Sequence, residues 1–298
     1  MSDQQISRRF REIEDSLTPH MDSRQLTLLD RIAGLDPRRT GRGFADLGTD
    51  LVAALKEAAA LPGAEPRRNF SRALIARLAS TTMARAANFS ITPKMLEKSR
   101  DWLPRLADFL ESGEVGEEYW FCGDWFMKDF RFVTLLTVPA GGARVIDLYD
   151  GVGPKTALKL ARQSPTAALS ALRRPWFRLH AEGRDRSAFT EAGWDECAHE
   201  IAKLLKLHPK VAGMVGTTWY YDPALSKVSP RLTYLRRLPM DNGAFLVRHG
   251  TTAFDIRSAT ATSPTRRALY EAGQYVPVSC SMLWPREKLI AWADANPI

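Results

Sequence analysis

Two titratable side chains stand two residues apart on a predicted strand in the second half of the chain. His180 and Glu182 lie in the run 175–182, Pro-Trp-Phe-Arg-Leu-His-Ala-Glu. Side chains two positions apart on a strand share one face of the sheet, so the pattern brings an imidazole and a carboxylate together. Such groups are typical of a general base that takes a proton from a nucleophile. The alternative for His180 is a buried histidine held by hydrogen bonds.

A polar, basic loop follows this strand and leads into the longest predicted helix of this half. Backbone N–H groups at a helix N-terminus, together with two guanidinium groups, favour a diphosphate ligand. A threonine directly before the helix is a typical N-cap. The residues that we expect to form this phosphate-binding loop are Gly183, Arg184, Arg186, Ser187 and Thr190.

Hydroxyls, aromatic rings and one carboxylate gather at the end of the next predicted strand. This end contains Trp219, Tyr220, Tyr221 and Asp222. Such a cluster is typical of a cleft wall where a sheet opens, and a wide aromatic cleft suits a long acyl chain or a lipid-like acceptor. The alternative is that Trp219 and one tyrosine fill the core by alternation, while their neighbours face water.

The elements that must position these residues fall into two parts. From residue 1 to about 112, apolar residues recur at helical spacing, and glycines at 113–116 end that pattern. The predicted elements of 113–298 are a hairpin at 132–149, strands at 175–182, 211–221, 245–248 and 279–284, and helices at 190–207, 229–238 and 264–272. This order predicts an α+β fold, with a helical N-terminal region 1–112 followed by a mixed-sheet domain 113–298.

From about residue 130 onward, the order of elements resembles the GNAT superfamily of acyl-CoA N-acyltransferases. In that family a hairpin leads into a central strand, a loop and a long helix, then a splayed strand, a helix and closing strands. The stretch Leu269-Tyr-Glu-Ala-Gly273-Gln-Tyr275 is similar to the family's Leu-Tyr-Glu-x-x-Gly-Phe. The resemblance covers a little over half of the chain. The family's Gly-x-Gly or Gly-x-Ala loop pattern is absent from 183–190.

The resemblance implies transfer of an acyl group from a thioester donor to an amine. The donor would be acyl-CoA or, for so basic a chain, an acyl carrier protein, and the loop at 183–190 would hold its phosphates. His180 or Glu182 would be the base, and Tyr270 would be the acid that protonates the departing thiolate. Tyr234, in the predicted helix after the splayed strand, competes for the acid role. Packing within a helix is the alternative for both tyrosines.

A second local resemblance supports a different function. Residues 148–160, Leu-Tyr-Asp-Gly-Val-Gly-Pro-Lys-Thr-Ala-Leu-Lys-Leu, resemble the helix-hairpin-helix element of DNA-binding proteins. There the Gly-Val-Gly turn offers N–H groups to a phosphate, and Lys155 would add charge. The element needs a helix at 143–149, where the sequence also predicts the second strand of the hairpin. A catalytically silent interaction subunit of the same fold is the third alternative.

Charge and composition limit the partners. The 298 residues contain 42 Lys and Arg against 34 Asp and Glu, which gives a net charge of +8. This excess suits an anionic partner such as nucleic acid, an acidic carrier protein or an anionic membrane surface. Eight basic residues stand against one acidic residue between Arg67 and Arg100. They form either a basic binding face or a solvated helix flank.

The same survey predicts no metal site and no disulfide framework. Cys122, Cys197 and Cys280 are widely spaced without a C-x-x-C pair, and the five histidines lack ligand spacing. The polar N-terminus is not a secretory signal, and no apolar run reaches the roughly 18 residues of a spanning helix. We therefore expect a cytoplasmic protein, with peripheral membrane contact left open.

Overall fold

The structure, a computed structural model, describes residues 1–35, 47–112, 124–182 and 186–298. The chain divides into two compact units, Met1–Pro139 and Ala140–Ile298. The sequence places its change of character near residue 113. Residues 113–123 lie outside the described part of the chain, so a domain boundary there stays a prediction. None of the described helices has the length and apolar composition needed to cross a bilayer.

The first unit is helical, as the spacing of its apolar residues predicts. Its helices are α1 (Asp3–Leu17), α2 (Ser23–Gly34), α3 (Thr49–Ala59), α4 (Ala64–Ala79), α5 (Thr82–Ala86), α6 (Pro93–Ser112) and α7 (Asp124–Val133). Their apolar faces share one core, in which the rings of Phe10, Phe70 and Phe126 are fully buried. The helical pattern over 69–87 is divided between α4 and α5 because Ser80 and Thr81 bond to backbone carbonyls of the preceding turn.

Several cations of the basic stretch are bound within this unit. Arg77 pairs with Glu14 at 2.6 Å, and Arg100 pairs with Asp3 at 2.7 Å. Arg72 donates to the carbonyl of Leu110, and Arg85 donates to the carbonyl of Val133. At least four of the eight basic side chains therefore hold helices together, and a face that offers all eight to an anionic surface is not what the structure contains.

The second unit consists of helices around a six-stranded sheet. Its helices are α8 (Pro154–Leu160), α9 (Pro165–Arg173), α10 (Glu191–Leu207), α11 (Leu225–Val228), α12 (Tyr234–Asp241), α13 (Ala253–Thr260), α14 (Pro264–Glu271) and α15 (Arg286–Ala295). The strands are β1 (Thr137–Gly141), β2 (Arg144–Asp150), β3 (Trp176–Ala181), β4 (Gly213–Thr218), β5 (Phe245–Arg248) and β6 (Cys280–Pro285). Strand β1 begins in the first unit and ends in the second. The expected α+β class is confirmed.

The sheet is mixed, with strand order β1-β2-β3-β4-β6-β5. Strands β2 and β3 pair antiparallel, as do β4 with β6 and β5 with β6. Strands β3 and β4 are parallel, and their pairing extends only from Phe177 to Leu179 on β3. The end of this short parallel pair is the place where the sheet opens.

Two predicted strands differ from the structure at their ends. The first strand of the hairpin was expected from 132, but α7 continues to Val133 because Phe126, Phe130 and Val133 bury one helical face. The strand expected to run to Tyr221 ends at Thr218. The Thr218 hydroxyl then accepts from the N–H of Tyr220 and starts a 3-10 turn, Trp219–Tyr221.

The helix-hairpin-helix interpretation is wrong. Residues Arg144–Asp150 form β2 and pair with β3, so the first helix of that element does not exist there. Helix α8 begins at Pro154, directly after Gly153. The Gly-Val-Gly segment therefore joins a strand to a helix. Lys159 and Gln163 bond to backbone carbonyls of β5, which keeps α8 and the residues after it against the sheet.

A close approach of two glycines joins the β1–β2 turn to the start of α10. Gly142 has φ +56°, and a Cβ at this position would overlap the carbonyl of Gly193. A Cβ at Gly193 would in turn overlap the carbonyl of Ala188. Only glycine fits in both places, because backbone meets backbone without room for a methyl group. This contact fixes the end of the hairpin relative to the helix that follows the central strand.

We expect Gly142→Ala to lower the free energy of unfolding by about 1–3 kcal/mol, because the new methyl group must displace backbone. Gly151→Ala is the matched control, since a Cβ there meets no atom within 4 Å. Its effect should stay within about 0.5 kcal/mol. Urea unfolding of the two variants and the wild type measures the difference. Equal midpoints for all three proteins would contradict the close approach.

Candidate functional site

The central feature of the site is a hydrogen bond between a histidine and a buried carboxylate. In the β2–β3 register, Val145 is opposite His180 and Asp147 is opposite Arg178. Asp147 and His180 are therefore diagonal neighbours on one face of the sheet. His180 Nε2 lies 2.9 Å from Asp147 Oδ2. The Asp147 side chain has no exposed surface, whereas that of His180 is 31% exposed.

This arrangement orients the imidazole, and the His180 side chain is partly exposed. A buried carboxylate is costly unless it accepts hydrogen bonds, so Asp147 restrains the His180 ring. We assign the Nε2–H of His180 as the donor, which places the ring's lone pair on Nδ1. The sequence analysis found His180 and missed Asp147, whose partner is 33 residues away. The register between β2 and β3 was the signal that could have found it.

Arg178, the neighbouring cation on this face, is paired with a second buried carboxylate, that of Asp150. Arg178 forms an ion pair with Asp150, whose side chain is 1% exposed, and also donates to the carbonyl of Gly151 at 2.5 Å. Asp150 is brought opposite Trp176 by an irregularity in the β2–β3 register. The guanidinium of Arg178 is therefore paired with Asp150, and the carboxylate of Asp147 accepts the hydrogen bond from His180.

Glu182 lies just beyond the end of β3. The residue is 5% exposed, and its N–H donates to the carbonyl of Ala143 at 2.8 Å. The backbone bond ties the end of the central strand to the β1–β2 turn. Its role as a base beside His180 stays a prediction.

Further polar side chains continue across the sheet from His180. Thr217 and Ser281 face each other on β4 and β6, with their hydroxyl oxygens 2.7 Å apart. Ser281 Oγ also lies 2.7 Å from His249 Nε2. Leu179 and Gly216 are the last pair of the β3–β4 ladder, so His180 and Thr217 follow it on the opposite face.

These residues form a line of polar groups, the polar row, made of Asp147, His180, Thr217, Ser281 and His249. Ser281 is 1% exposed and Thr217 is exposed. Within the polar row, the buried hydroxyl of Ser281 is therefore followed by the exposed hydroxyl of Thr217, which lies on the strand next to that of His180. The sequence analysis missed Ser281 and His249, because nothing in the local sequence shows that β5 and β6 bring them to this face.

Much of the expected phosphate loop lies outside the described residues, including Gly183 and Arg184. Arg186 begins a 3-10 turn, Arg186–Ala188, but its side chain is also outside the described part. Ser187 is exposed. Thr190 caps α10 as expected, because its hydroxyl accepts from the Gly193 N–H at 3.1 Å. The binding of phosphate here stays a prediction.

The aromatic segment after β4 is packed more tightly than a simple cleft wall. Trp219 and Tyr221 are buried, and Tyr220 is half-buried. The Tyr221 ring lies against the backbone of Gly216, and burial raises the pKa of its hydroxyl. Asp222 accepts from the N–H groups of Ala224 and Val278 at 3.0 and 3.1 Å, which holds the turn together. Of the four residues, Tyr220 retains the surface that a ligand needs, and the cleft stays a prediction.

The two candidate acids differ in environment. Tyr234 begins α12 and is 8% exposed, and its hydroxyl has no hydrogen-bond partner among the described residues. Burial raises the pKa of Tyr234, against the opposing effect of Arg144. Tyr270 is half-buried on α14, and no side-chain hydrogen bond or ring contact joins it to another described residue. Neither tyrosine is tested as an acid, and both roles stay predictions.

The chain was compared with known proteins. No protein-family model matches it, and neither does any curated protein sequence. It is similar to a solved acyltransferase in complex with CoA and 10C-teicoplanin, with TM-score 0.46 and 12% identity over 92% of this chain and 99% of that chain. It is also similar to an acyltransferase in complex with decanoyl-CoA and teicoplanin, with TM-score 0.46 and 13% identity over 93% and 99%. None of the roles assigned below rests on a likeness of this degree.

His249, at the end of the polar row farthest from Asp147, gives a pH prediction. Burial, reinforced by the Lys159 ammonium and opposed by Asp255, lowers the pKa of His249. The folded protein therefore takes up this proton less readily than the unfolded chain, in which the histidine pKa is about 6.5. The stabilisation is fully present above about pH 6.5 and is lost as the pH falls from there through the lower pKa of the folded protein.

We expect His249→Gln to lower the free energy of unfolding at pH 7.5 by about 1 kcal/mol, because the bond to Ser281 is lost. Urea unfolding of the variant and the wild type measures this difference. The difference should narrow between pH 6.5 and 5. Burial also lowers the pKa of His199, so the two proteins are compared at each pH and that contribution cancels. A difference in unfolding free energy that stays constant from pH 6.5 to 5 would contradict the lowered pKa of His249.

Proposed function

We propose that the chain transfers an acyl group from a thioester donor, acyl-CoA or an acyl carrier protein, to an amine acceptor. The observation that carries the proposal is the bond from His180 to the buried Asp147. A partly exposed imidazole held in one orientation by a carboxylate is suited to general-base catalysis. Its position on the central strand, at the opening of the sheet, supports a role in catalysis more than one in packing.

The order of elements gives further support. The chain runs from the β1–β2 hairpin through α8 and α9 into β3, then through a loop to α10, β4, α11, α12, β5, α13, α14 and β6. The strands and the long helix α10 follow the order expected from the GNAT resemblance, with β3 as the central strand and β4 as the splayed strand, and α8 and α9 are additional helices before β3. Pairing between β3 and β4 stops before His180 and Thr217. The gap beyond the last pair is where a thioester would lie beside the base.

In the proposed reaction, the amine nitrogen attacks the thioester carbonyl carbon and forms the new C–N bond. His180 Nδ1 takes the proton that the nitrogen loses, and Asp147 stabilises the resulting imidazolium. The C–S bond then breaks, and the electron pair leaves with sulfur as a thiolate. A proton from an acid converts the thiolate to a thiol. The products are an amide and the free thiol of the donor.

The other predicted residues take the remaining roles. Tyr234 and Tyr270 are the two candidates for the acid that protonates the departing thiolate. Arg184 and Arg186, with Ser187 and Thr190, would bind phosphates of the donor beside the α10 N-terminus. The half-buried ring of Tyr220 would contact the acyl chain or a lipid-like acceptor.

The proposal predicts that His180→Gln lowers kcat by about 10²–10⁴-fold, because the base is lost. Asp147→Asn should also lower kcat, since an amide no longer holds the imidazole in the required tautomer. The KM for the donor should change by only a few-fold in both variants. Free thiol release above the rate without protein is measured with short-, medium- and long-chain acyl-CoAs and with a small primary amine such as glycinamide as the acceptor.

Glu182→Gln is the comparison that separates the two candidate bases. A fall in kcat for Glu182→Gln alone, with His180→Gln unchanged, would transfer the role to Glu182. Tyr234→Phe and Tyr270→Phe separate the two acids by the same readout. If no acyl-CoA and no acylated carrier protein supports amine-dependent thiol release, the chain is a catalytically silent subunit and the proposal is wrong.

A further inference from the structure

Two arginines border a stack of aromatic rings near the start of α10. The Arg144 guanidinium lies 3.9 Å from the Phe189 ring centre and 5.4 Å from that of Trp194. The Phe189 ring is 5.2 Å from Tyr220, and Tyr220 is 4.2 Å from Trp219. The Arg266 guanidinium lies 4.9 Å from Trp219 at the other end. We call this set the arginine–aromatic stack.

Both arginines are buried cations. Arg144 is 6% exposed and Arg266 is 4% exposed. Neither lies within ion-pair distance of a carboxylate among the residues that the structure describes. Burial of a charge without a counter-charge is expensive, and a ring face compensates for only about 0.5–2 kcal/mol of the cost. Each guanidinium therefore needs further acceptors.

The protein supplies such acceptors to one arginine more fully than to the other. Arg266 donates from Nε to the Ala259 carbonyl at 2.5 Å and from Nη1 to the Ser229 hydroxyl at 3.0 Å. Arg144 donates only from Nη1, to the carbonyls of Gly142 and Ala143, both at 3.2 Å. Its Nε–H and both Nη2–H groups have no acceptor among the described residues.

Two other donors near Arg144 also lack acceptors. The Tyr234 hydroxyl and the Trp194 indole N–H are buried, and neither has a hydrogen-bond partner among the described residues. Tyr234 begins α12, whose Arg237 bonds to Glu191 at the start of α10, and Trp194 of α10 is a ring against which Arg144 packs. Unpaired buried polar groups are rare in native proteins and call for an explanation such as a ligand.

We propose that Arg144, Tyr234 and Trp194 bind one oxyanion, a carboxylate or a phosphate, carried by a ligand whose apolar part lies on Phe189 and Tyr220. All three side chains can donate, and an oxyanion is the ligand that accepts several hydrogen bonds and neutralises a guanidinium at once. The half-buried rings of Phe189 and Tyr220 provide the adjoining apolar surface.

The site does not depend on acyl transfer. Its oxyanion would come either from a phosphate of the thioester donor or from the carboxylate of an acid. Binding is measured without turnover, so a chain that fails to transfer acyl groups can still bind the anion. Conversely, His180→Gln should leave this binding intact, since His180 and Arg144 lie on opposite faces of the sheet by strand alternation.

The test compares ligands that differ only in the anionic group, by calorimetry on the full chain. One pair is phosphopantetheine and pantetheine, and the other is octanoate and octanamide. At least one anionic member should bind about tenfold or more tightly than its neutral counterpart. A preference in the first pair identifies phosphate as the source, and a preference in the second identifies carboxylate.

Arg144→Met should abolish this preference, and Arg144→Lys should retain part of it through the charge. Tyr234→Phe should weaken binding of the anion several-fold without changing binding of the neutral ligand. The matched control is Arg266→Met, which removes an equally buried, ring-packed arginine and should preserve the preference.

The proposal is wrong if neither anion is preferred by the wild type, or if Arg266→Met loses the preference as fully as Arg144→Met. Should Arg144→Met fail to fold, Arg144→Lys and Tyr234→Phe decide in its place. In that case, an unchanged preference in both of these variants overturns the site.

Discussion

The register between β2 and β3 is the constraint on which the candidate site depends. It places the buried carboxylates of Asp147 and Asp150 within reach of His180 and Arg178. A slip of one residue would move each acid to the opposite face and leave two buried charges without partners. The close approach of Gly142 and Gly193 fixes the start of β2 against α10, and so restrains the same strand at its first residues. The geometry of the candidate site and the stability of the sheet therefore have a common origin.

The elements that the sequence predicted well are those with local signals at both ends. Helix α10 has an N-cap at Thr190 and stops at His208-Pro209, and the structure places it at Glu191–Leu207. Helix α15 was not predicted, because it follows β6 directly with Pro285 as its N-cap and no side-chain cap bond. The β-branched stretch from 132 was assigned too early to a strand, since burial against the helical core outweighed the propensity of Val133.

The site was predictable in kind but not in composition. His180 was found because its residue type and its strand were both visible in the sequence. Its partner was not, because a bond between residues far apart in the chain depends on sheet register, which local sequence does not encode. The same reason hid Ser281 and His249, which belong to two strands that meet only in the folded sheet. Partners on neighbouring strands are the information that the structure adds.

Strand β2 treats its charged residues differently on its two faces. On one face Asp147 accepts from His180, so an acid and a base compensate each other. On the other face Arg144 packs on aromatic rings and donates to the carbonyls of Gly142 and Ala143. No carboxylate among the described residues compensates its positive charge. Burial of a cation without a counter-charge is costly, so stability alone gives little reason for an arginine at this position. A requirement for negative charge from outside the chain explains this arginine better than packing does.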